Sequence, residues 1–236
     1  MTNDNDDAPS PYWVTVSANT PPSPSDGAPN DADPSDLHTS PSAVRNTQPI
    51  VEVLSSVLPD QGTAVEIASG TGQHAVAFAT QFPRWNWIPS DPHPAARSSI
   101  AAWKAKTALK NLGAPVNIDL TKPDWHDDVV EPVKAILAIN VVHISPWTAS
   151  LGLVKGAAAT LPSGGLLFVY SCFSRDGVHL SDSNIAFDKS LRTRNPLWGV
   201  RDTSELASAG QDHGLDLQDI IEMPANNLSL IFRKTD

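Results

Sequence analysis

The sequence predicts an α/β domain: an open, mostly parallel sheet with helices on both faces and an antiparallel strand near its end. Three observations carry this. From residue 63 onward, short apolar runs alternate with stretches of helical period, the pattern of a parallel sheet covered on both sides. The first run ends in Gly70-Thr71-Gly72, directly before helix-forming residues. The last two runs, 217–223 and 228–233, are joined only by Pro224-Ala225-Asn226-Asn227, too short a link for a parallel crossover.

Each element follows from local chemistry. A helix is expected over 49–58, where Ile50, Val51, Val53, Leu54, Val57 and Leu58 fall at helical spacing. After the turn Pro59-Asp60-Gln61-Gly62 comes a strand over 63–68, then a helix over 73–82 stopped by Pro83. A second strand covers 85–89 and a helix 95–109, with Pro92 and Pro94 in its lead-in. Short strands are expected over 116–119 and 134–139. A helix over 146–161 has Ser145 as its expected N-cap and Pro146 in its first turn. A fifth strand covers 165–171, residues 172–202 read as irregular and polar, and 204–213 as a helix before the final pair of strands.

Residues 1–40 read differently. They contain seven Pro and seven Asp and no Lys, Arg or Glu, so they carry −7 of the formal −10. Such a segment cannot bury enough apolar surface to offset its ordering entropy, and a disordered acidic tail is expected. Its apolar island, Tyr12-Trp13-Val14, is a candidate docking motif for a partner. The remaining −3 on 41–236 leaves one nearly balanced domain without a basic stripe, which disfavours nucleic acid. No apolar run approaches the roughly 20 residues that span a bilayer, and the start reads as polar and acidic rather than as a signal peptide. With Cys172 alone, neither an internal disulfide framework nor a multi-thiolate zinc site is available, no metal is expected, and a cytoplasmic setting fits.

The glycine loop is where chemistry is expected. Glycines let a ligand approach the backbone, and the following helix presents free amides. Gly70-Thr71-Gly72-Gln73-His74-Ala75 fits the G-x-G-x-x-G/A dinucleotide pattern, which alone is weak. Glu66, inside the preceding strand, is poorly suited to face a pyrophosphate and well suited to a cationic ligand such as S-adenosylmethionine, whose sulfonium and ammonium come without phosphate. Asp91, after the second strand, can accept two ribose hydroxyls and serves either cofactor.

Glu66-Ile67-Ala68-Ser69-Gly70-Thr71-Gly72 resembles the E-x-G-x-G-x-G motif of class I S-adenosylmethionine-dependent methyltransferases, with Ala68 in place of the first glycine. More narrowly, the chain resembles the DUF938 family, also called methyltransferase-like protein 26. Arg45-Asn46, Ser90-Asp91-Pro92, His143-Ile144-Ser145-Pro146-Trp147, Trp198-Gly199 and Met223 to Leu230 carry that likeness across about residues 41–234. It departs where the family has Gly-Pro after the tyrosine of the fifth strand: Tyr170 is followed by Ser171-Cys172. The resemblance implies a Rossmann-like seven-stranded mixed sheet in the order 3-2-1-4-5-7-6, strand 7 antiparallel. It implies S-adenosyl-L-methionine bound by Glu66, Ala68, Ser69, Gly70, Thr71, Gly72 and His74, with Asp91 on the ribose. Asp119 and Leu120 would lie at the adenine, and Asn140 near the methionine end and the transferred methyl.

The expected activity is methyl transfer to a small-molecule or protein acceptor. A non-catalytic cofactor-binding sensor or activator and an NAD-dependent oxidoreductase remain as alternatives. Proximity and alignment can supply most of the catalysis, with a base needed only for an acceptor that must lose a proton. His143, His74, Asp188 and His179 are the base candidates, and His143, Asn140 and Asp188 the catalytic residues expected. The alternative reading of His143 is a residue that orders Trp147 or the loop backbone. Arg192 and Arg194 suit an anionic acceptor or surface bridges to nearby Asp. Trp125 and Trp147 are expected at the pocket, and Trp85, Trp87 and Trp103 in the core or over the sheet.

Overall fold

The computed structural model describes residues 37–129 and 132–236. The expected disorder of the tail and its docking motif fall almost wholly on residues 1–36, outside the described residues. Helix α1 (Pro41–Val57) leads into strand β1 (Gly62–Ile67), α2 (Gln73–Gln81), β2 (Trp85–Pro89), α3 (Pro94–Thr107) and β3 (Ala135–Ile139). Then come α4 (Trp147–Thr160), β4 (Leu166–Arg175), β5 (Val178–His179), α5 (Asp182–Arg194), β6 (Arg201–Asp202), α6 (Thr203–Gln211), β7 (Leu215–Met223) and β8 (Asn227–Lys234).

The central sheet runs β2-β1-β3-β4-β8-β7. β2, β1, β3 and β4 are parallel, and β8 inserts antiparallel between β4 and β7. This is the expected order and sense. Side chains of the parallel strands alternate strictly between two cores. Val65, Ile67, Ile136, Ala138, Leu167 and Val169 face α4 and α6, while Ala64, Ala135, Leu137, Leu166, Phe168 and Tyr170 face α1 and α2. Strands buried on both faces read as continuous apolar runs, which made them easy to find.

Four expectations are corrected. The strand over 116–119 is reduced to isolated bridges, Trp87 with Leu112 and Ser90 with Val116, although it flanks β2 where strand 3 was expected. Helix α1 starts at Pro41 rather than 49, and Pro49 lies inside it. A proline tolerated at a helix start is also tolerated mid-helix where one lost backbone bond is offset by packing, here by buried Ile50, Val53 and Leu54. Pro146, not Ser145, is the N-cap of α4, and the Ser145 hydroxyl instead donates back to the Val141 carbonyl at 3.0 Å.

The fourth correction is the largest. Residues 172–202 are not irregular: β4 continues to Arg175, β5 and β6 pair with that extension, and α5 fills most of the rest. Ser181 caps α5 by accepting from the Asn184 amide. Only Asn184 and Leu191 of α5 are buried, so it carries almost no apolar period to read.

Residues 38–40 pack on the domain. The His38 amide donates to Ser99 Oγ, Trp103 Nε1 donates to the His38 carbonyl, and the Ser40 amide donates to Gln73 Oε1. No helix among the described residues is long and apolar enough to cross a membrane.

Candidate functional site

A cavity of about 650 Å³ opens beyond the carboxyl ends of β1 to β4, with α1 and α5 as side walls. That is the place where open α/β sheets bind ligands, and a usual size for a small-molecule site.

The loop after β1 shapes its floor. Ala68, Gly70 and Gly72 all adopt left-handed backbone conformations, with φ of 51°, 56° and 86°. Ala68 therefore keeps the geometry that a glycine would hold, with the strain of a Cβ. The loop is tied to β2: the Ser69 amide donates to the Ser90 carbonyl at 2.7 Å, and the Gly70 amide to Asp91 Oδ2 at 3.1 Å. Gly72 does not line the cavity. A Cβ there would sit 3.1 Å from the Ile100 Cα, so its contribution is to let α2 lie close on α3.

Glu66 is the unusual group. It is 2% exposed, lines the cavity, and its Oε2 has no hydrogen-bond partner. Burial raises its carboxyl to about 8; the neighbouring Ser69 hydroxyl offsets this in part, and Asp91 adds to it. His74 Nδ1 is 4.0 Å from Oε1. Burial lowers that imidazole to about 4, so His74 is neutral near pH 7 and is not a counter-ion to Glu66. Leaving a buried carboxyl oxygen unmatched costs free energy that a ligand bearing a donor recovers.

Asp91 stands across the loop from Glu66. Its Oδ1 accepts the His93 amide at 2.9 Å and its Oδ2 the Gly70 amide, which leaves further lone pairs for a ligand. Burial raises its pKa, against those two bonds. Asp119, fixed by Thr121, and Leu120 form the far end of the cavity. The Leu120 carbonyl presses on α4 at Gly152, where any Cβ would lie 2.0 Å away. Asn140 ends β3 in a left-handed conformation, φ 58°, and its amide donates to the Tyr170 carbonyl. Ser69, Thr71, Ala68 and His74 complete this half.

The other half is built by β4 and α5. His143, 6% exposed, lies in a short 3-10 turn after β3. Its Nδ1 is 2.6 Å from Ser171 Oγ, and Phe187 meets the ring edge-on at 5.2 Å between centroids. Burial, with the positive charges of Arg194 and Arg201, lowers the imidazole to about 3. Cys172, Ile144, Phe187, Arg194 and Asn227 line this side. Burial, reinforced by Asp188, pushes the Cys172 thiol up to about 11, so it stays protonated.

Several expected residues lie elsewhere. Asp188 is not among the residues that line the cavity, and its carboxylate accepts Arg192 Nε at 2.8 Å and the Val200 amide at 2.7 Å. Burial works to raise its carboxyl, but those two bonds win and hold it below the usual range, so it braces the loop after α5 and is not placed to act as a base. Trp125 is buried beneath α4, donating to the Gly152 carbonyl, and Trp147 faces Arg201 on the outside. Trp85 and Trp87 are core residues as expected. Arg45 and Asn46, on the wall formed by α1, line the cavity without having been expected as site residues. The signal that hid them was Pro49, which moved the apparent helix start past them.

The family described as a protein of unknown function, DUF938, matches residues 37–234. The chain belongs to that family. Solved structures of the same fold include an O-methyltransferase family protein from Burkholderia thailandensis, 16% identical with a TM-score of 0.70, covering 83% of this chain and 58% of that one. An O-methyltransferase family 2 protein from Planctomyces limnophilus DSM 3776, solved with apigenin, is 18% identical with a TM-score of 0.66 over 82% and 60%. CalO1, a methyltransferase in calicheamicin biosynthesis solved in an SAH-bound form, is 14% identical with a TM-score of 0.65 over 82% and 54%. This DUF938 chain thus spans a little over half the length of these neighbours, and at such identities the likeness is one of fold.

Proposed function

We propose that this DUF938 protein is an S-adenosylmethionine-dependent methyltransferase acting on a small molecule. The observation that carries the reading is Glu66, a buried carboxyl with an unmatched oxygen, on a residue that lines the cavity at the head of the glycine loop. An unmatched acceptor there fits an ammonium and opposes a pyrophosphate.

The rest of the donor set fits the same ligand. Glu66 would take the ammonium, and Arg45 on the α1 wall the carboxylate, so that each end of the amino-acid zwitterion meets its opposite charge. Asp91 would accept the ribose hydroxyls through the lone pairs its two backbone bonds leave free. Asp119 and Leu120 would flank the adenine. When bound, S-adenosylmethionine supplies a methyl carbon already activated by a sulfonium. The protein's own work is then to hold an acceptor in line, exclude water with Ile144, Cys172 and Phe187, and keep both partners in one pocket.

The deciding experiment is calorimetric titration with S-adenosylmethionine, S-adenosylhomocysteine and NAD. The expected outcome is binding of the first two, with Asp91→Ala severely weakened. Binding of NAD alone would overturn the proposal. Turnover is then sought by incubating the protein and labelled S-adenosylmethionine with fractions of a small-molecule extract. Label retained by no fraction favours a binding-only role.

A further inference from the structure

The acceptor half of the cavity is built from hydrogen-bond donors, and this identifies what it receives. The reasoning begins at Ser171. Its hydroxyl is fully buried, and its one hydrogen bond among the described residues is to His143 Nδ1, at 2.6 Å. Two arrangements satisfy that distance. If Nδ1 carried the proton, Ser171 would accept it and leave its own hydroxyl hydrogen buried without an acceptor. If Ser171 donates instead, only oxygen lone pairs go unused, the cheaper deficit. The second arrangement puts the imidazole proton on Nε2. His143 lines the cavity, and among the described residues its only side-chain hydrogen bond is the one at Nδ1, which leaves Nε2 available. The ring is neutral near pH 7, since burial and the charges of Arg194 and Arg201 suppress its second proton. His143 thus presents a fixed N–H donor to the cavity, and its basic nitrogen is already occupied by Ser171.

Arg194 stands on the same side. It lines the cavity from the last turn of α5, its guanidinium carbon rests 5.9 Å from the Trp198 ring, and its Nε reaches the Ser190 carbonyl. Its neighbour Arg192 is engaged with Asp188, whereas Arg194 pairs with no carboxylate within 4.0 Å among the described residues. Beside these two donors lie Phe187, Ile144 and the protonated thiol of Cys172, an apolar wall behind which the Asp188 carboxylate is already engaged by Arg192 and the Val200 amide. The cavity offers about 650 Å³ for both ligands, so the acceptor is small.

We propose that the acceptor is a small, apolar-bodied carboxylic acid whose carboxylate is held between the Arg194 guanidinium and His143 Nε2–H. The proposal rests on the methyltransferase reading of the same cavity. It assigns His143 as an anion-holding donor and not as the general base, and it gives Ser171 a positioning role: its hydroxyl selects the tautomer.

The test uses the full chain saturated with S-adenosylhomocysteine. A panel of aromatic carboxylates (benzoate, salicylate and phenylacetate), each with its primary amide, is titrated calorimetrically. At least one carboxylate is expected to bind roughly 10- to 100-fold more tightly than its amide, the range of charge-assisted hydrogen bonds. Arg194→Gln should erase the difference and Arg194→Lys keep part of it. Nitrogen NMR of labelled His143 at pH 7 should find the proton on Nε2, with Ser171→Ala mixing the tautomers and Ser171→Thr restoring one. A proton on Nδ1 overturns the proposal, and so does a panel in which no acid outbinds its amide. Failure of S-adenosylhomocysteine to bind in the first place would instead overturn the methyltransferase reading, which keeps the two failures apart.

Discussion

Glu66 is expected to couple binding of the proposed cofactor to release of a proton. Its carboxyl is moved from 4.5 to about 8 in the ligand-free protein, mainly by burial. At about 1.36 kcal/mol per pH unit, that separates the protonated and charged forms by on the order of 5 kcal/mol. At pH 7 the free protein therefore holds a proton on Glu66. The neighbouring His74 is neutral and Asp91 is an acid, so neither favours the charged form. An incoming ammonium does. Binding of S-adenosylhomocysteine at pH 7 is expected to release roughly one proton, read from calorimetric enthalpies in buffers of different ionisation heat. Affinity should rise by up to about tenfold per pH unit between roughly pH 5.5 and 8 and then level off. Glu66→Gln should flatten that profile and weaken binding most at pH 8.5. The ligand-free protein gives an independent reading. Because the folded pKa lies above the unfolded one, the folded state keeps a proton that the unfolded state loses above pH 4.5. Unfolding free energy then falls as pH rises through 4.5 to about 8. Glu66→Gln lacks this loss, so it should melt above the wild type at pH 8.5, with the gain absent at pH 4. Zero proton release at pH 7 together with a flat affinity profile would refute the reasoning.

Three further predictions come from packing around the cavity. Gly152→Ala places a methyl 2.0 Å from the Leu120 carbonyl, so it should cost about 1–3 kcal/mol in thermal unfolding and displace Leu120 enough to weaken S-adenosylhomocysteine binding. Asp188→Asn loses the charge-assisted bond to Arg192 and weakens that to the Val200 amide. It should destabilise the chain by about 1–3 kcal/mol, seen in urea unfolding, and leave the acidic limb of any turnover pH profile in place, as expected of a residue that is not the base. Removing residues 37–40 in addition to 1–36 should lower stability by about 1–3 kcal/mol relative to removing 1–36 alone. That loss corresponds to the hydrogen bonds linking His38 and Ser40 to Ser99, Trp103 and Gln73.

The parts of this molecule that could be read in the sequence are those whose signal is local and repeated. The parallel strands announced themselves because both faces are buried, and the last hairpin because four residues cannot make a crossover. Within that hairpin Asn226 takes the left-handed geometry that asparagine tolerates, with φ of 56°, and Ala225 shares it at 59°. Helix α5 was invisible because its role is not to bury an apolar stripe. Of its residues, only Asn184 and Leu191 are buried. In the half proposed to hold the cofactor, the glycine loop was legible because a strand, a glycine loop and a helix start lie within one continuous stretch. The acceptor half is assembled from the turn after β3, β4, α5 and the last hairpin, and no window of sequence contains it.

The departure from the class I glycine motif at Ala68 and the departure from the DUF938 pattern at Ser171-Cys172 behave differently, for a physical reason. Ala68, where a glycine was expected, changes nothing in the path of the chain: its φ of 51° is the left-handed geometry itself, held by the Ser69 and Gly70 amides bonding across to Ser90 and Asp91. A loop anchored by such bonds can carry one strained residue. Ser171-Cys172, in place of Gly-Pro, changes the chemistry. A glycine at 171 would leave His143 Nδ1 without the hydroxyl it meets at 2.6 Å, and the ring free to choose its tautomer. A proline at 172 would remove a backbone N–H where β4 pairs with β8 at Asn227. The substitution in the loop is thus absorbed by the backbone, while the one in the strand sets which proton the pocket presents. Specificity in this chain is therefore to be sought at Ser171 and the residues it orients, and not in the loop that first marks the cofactor site.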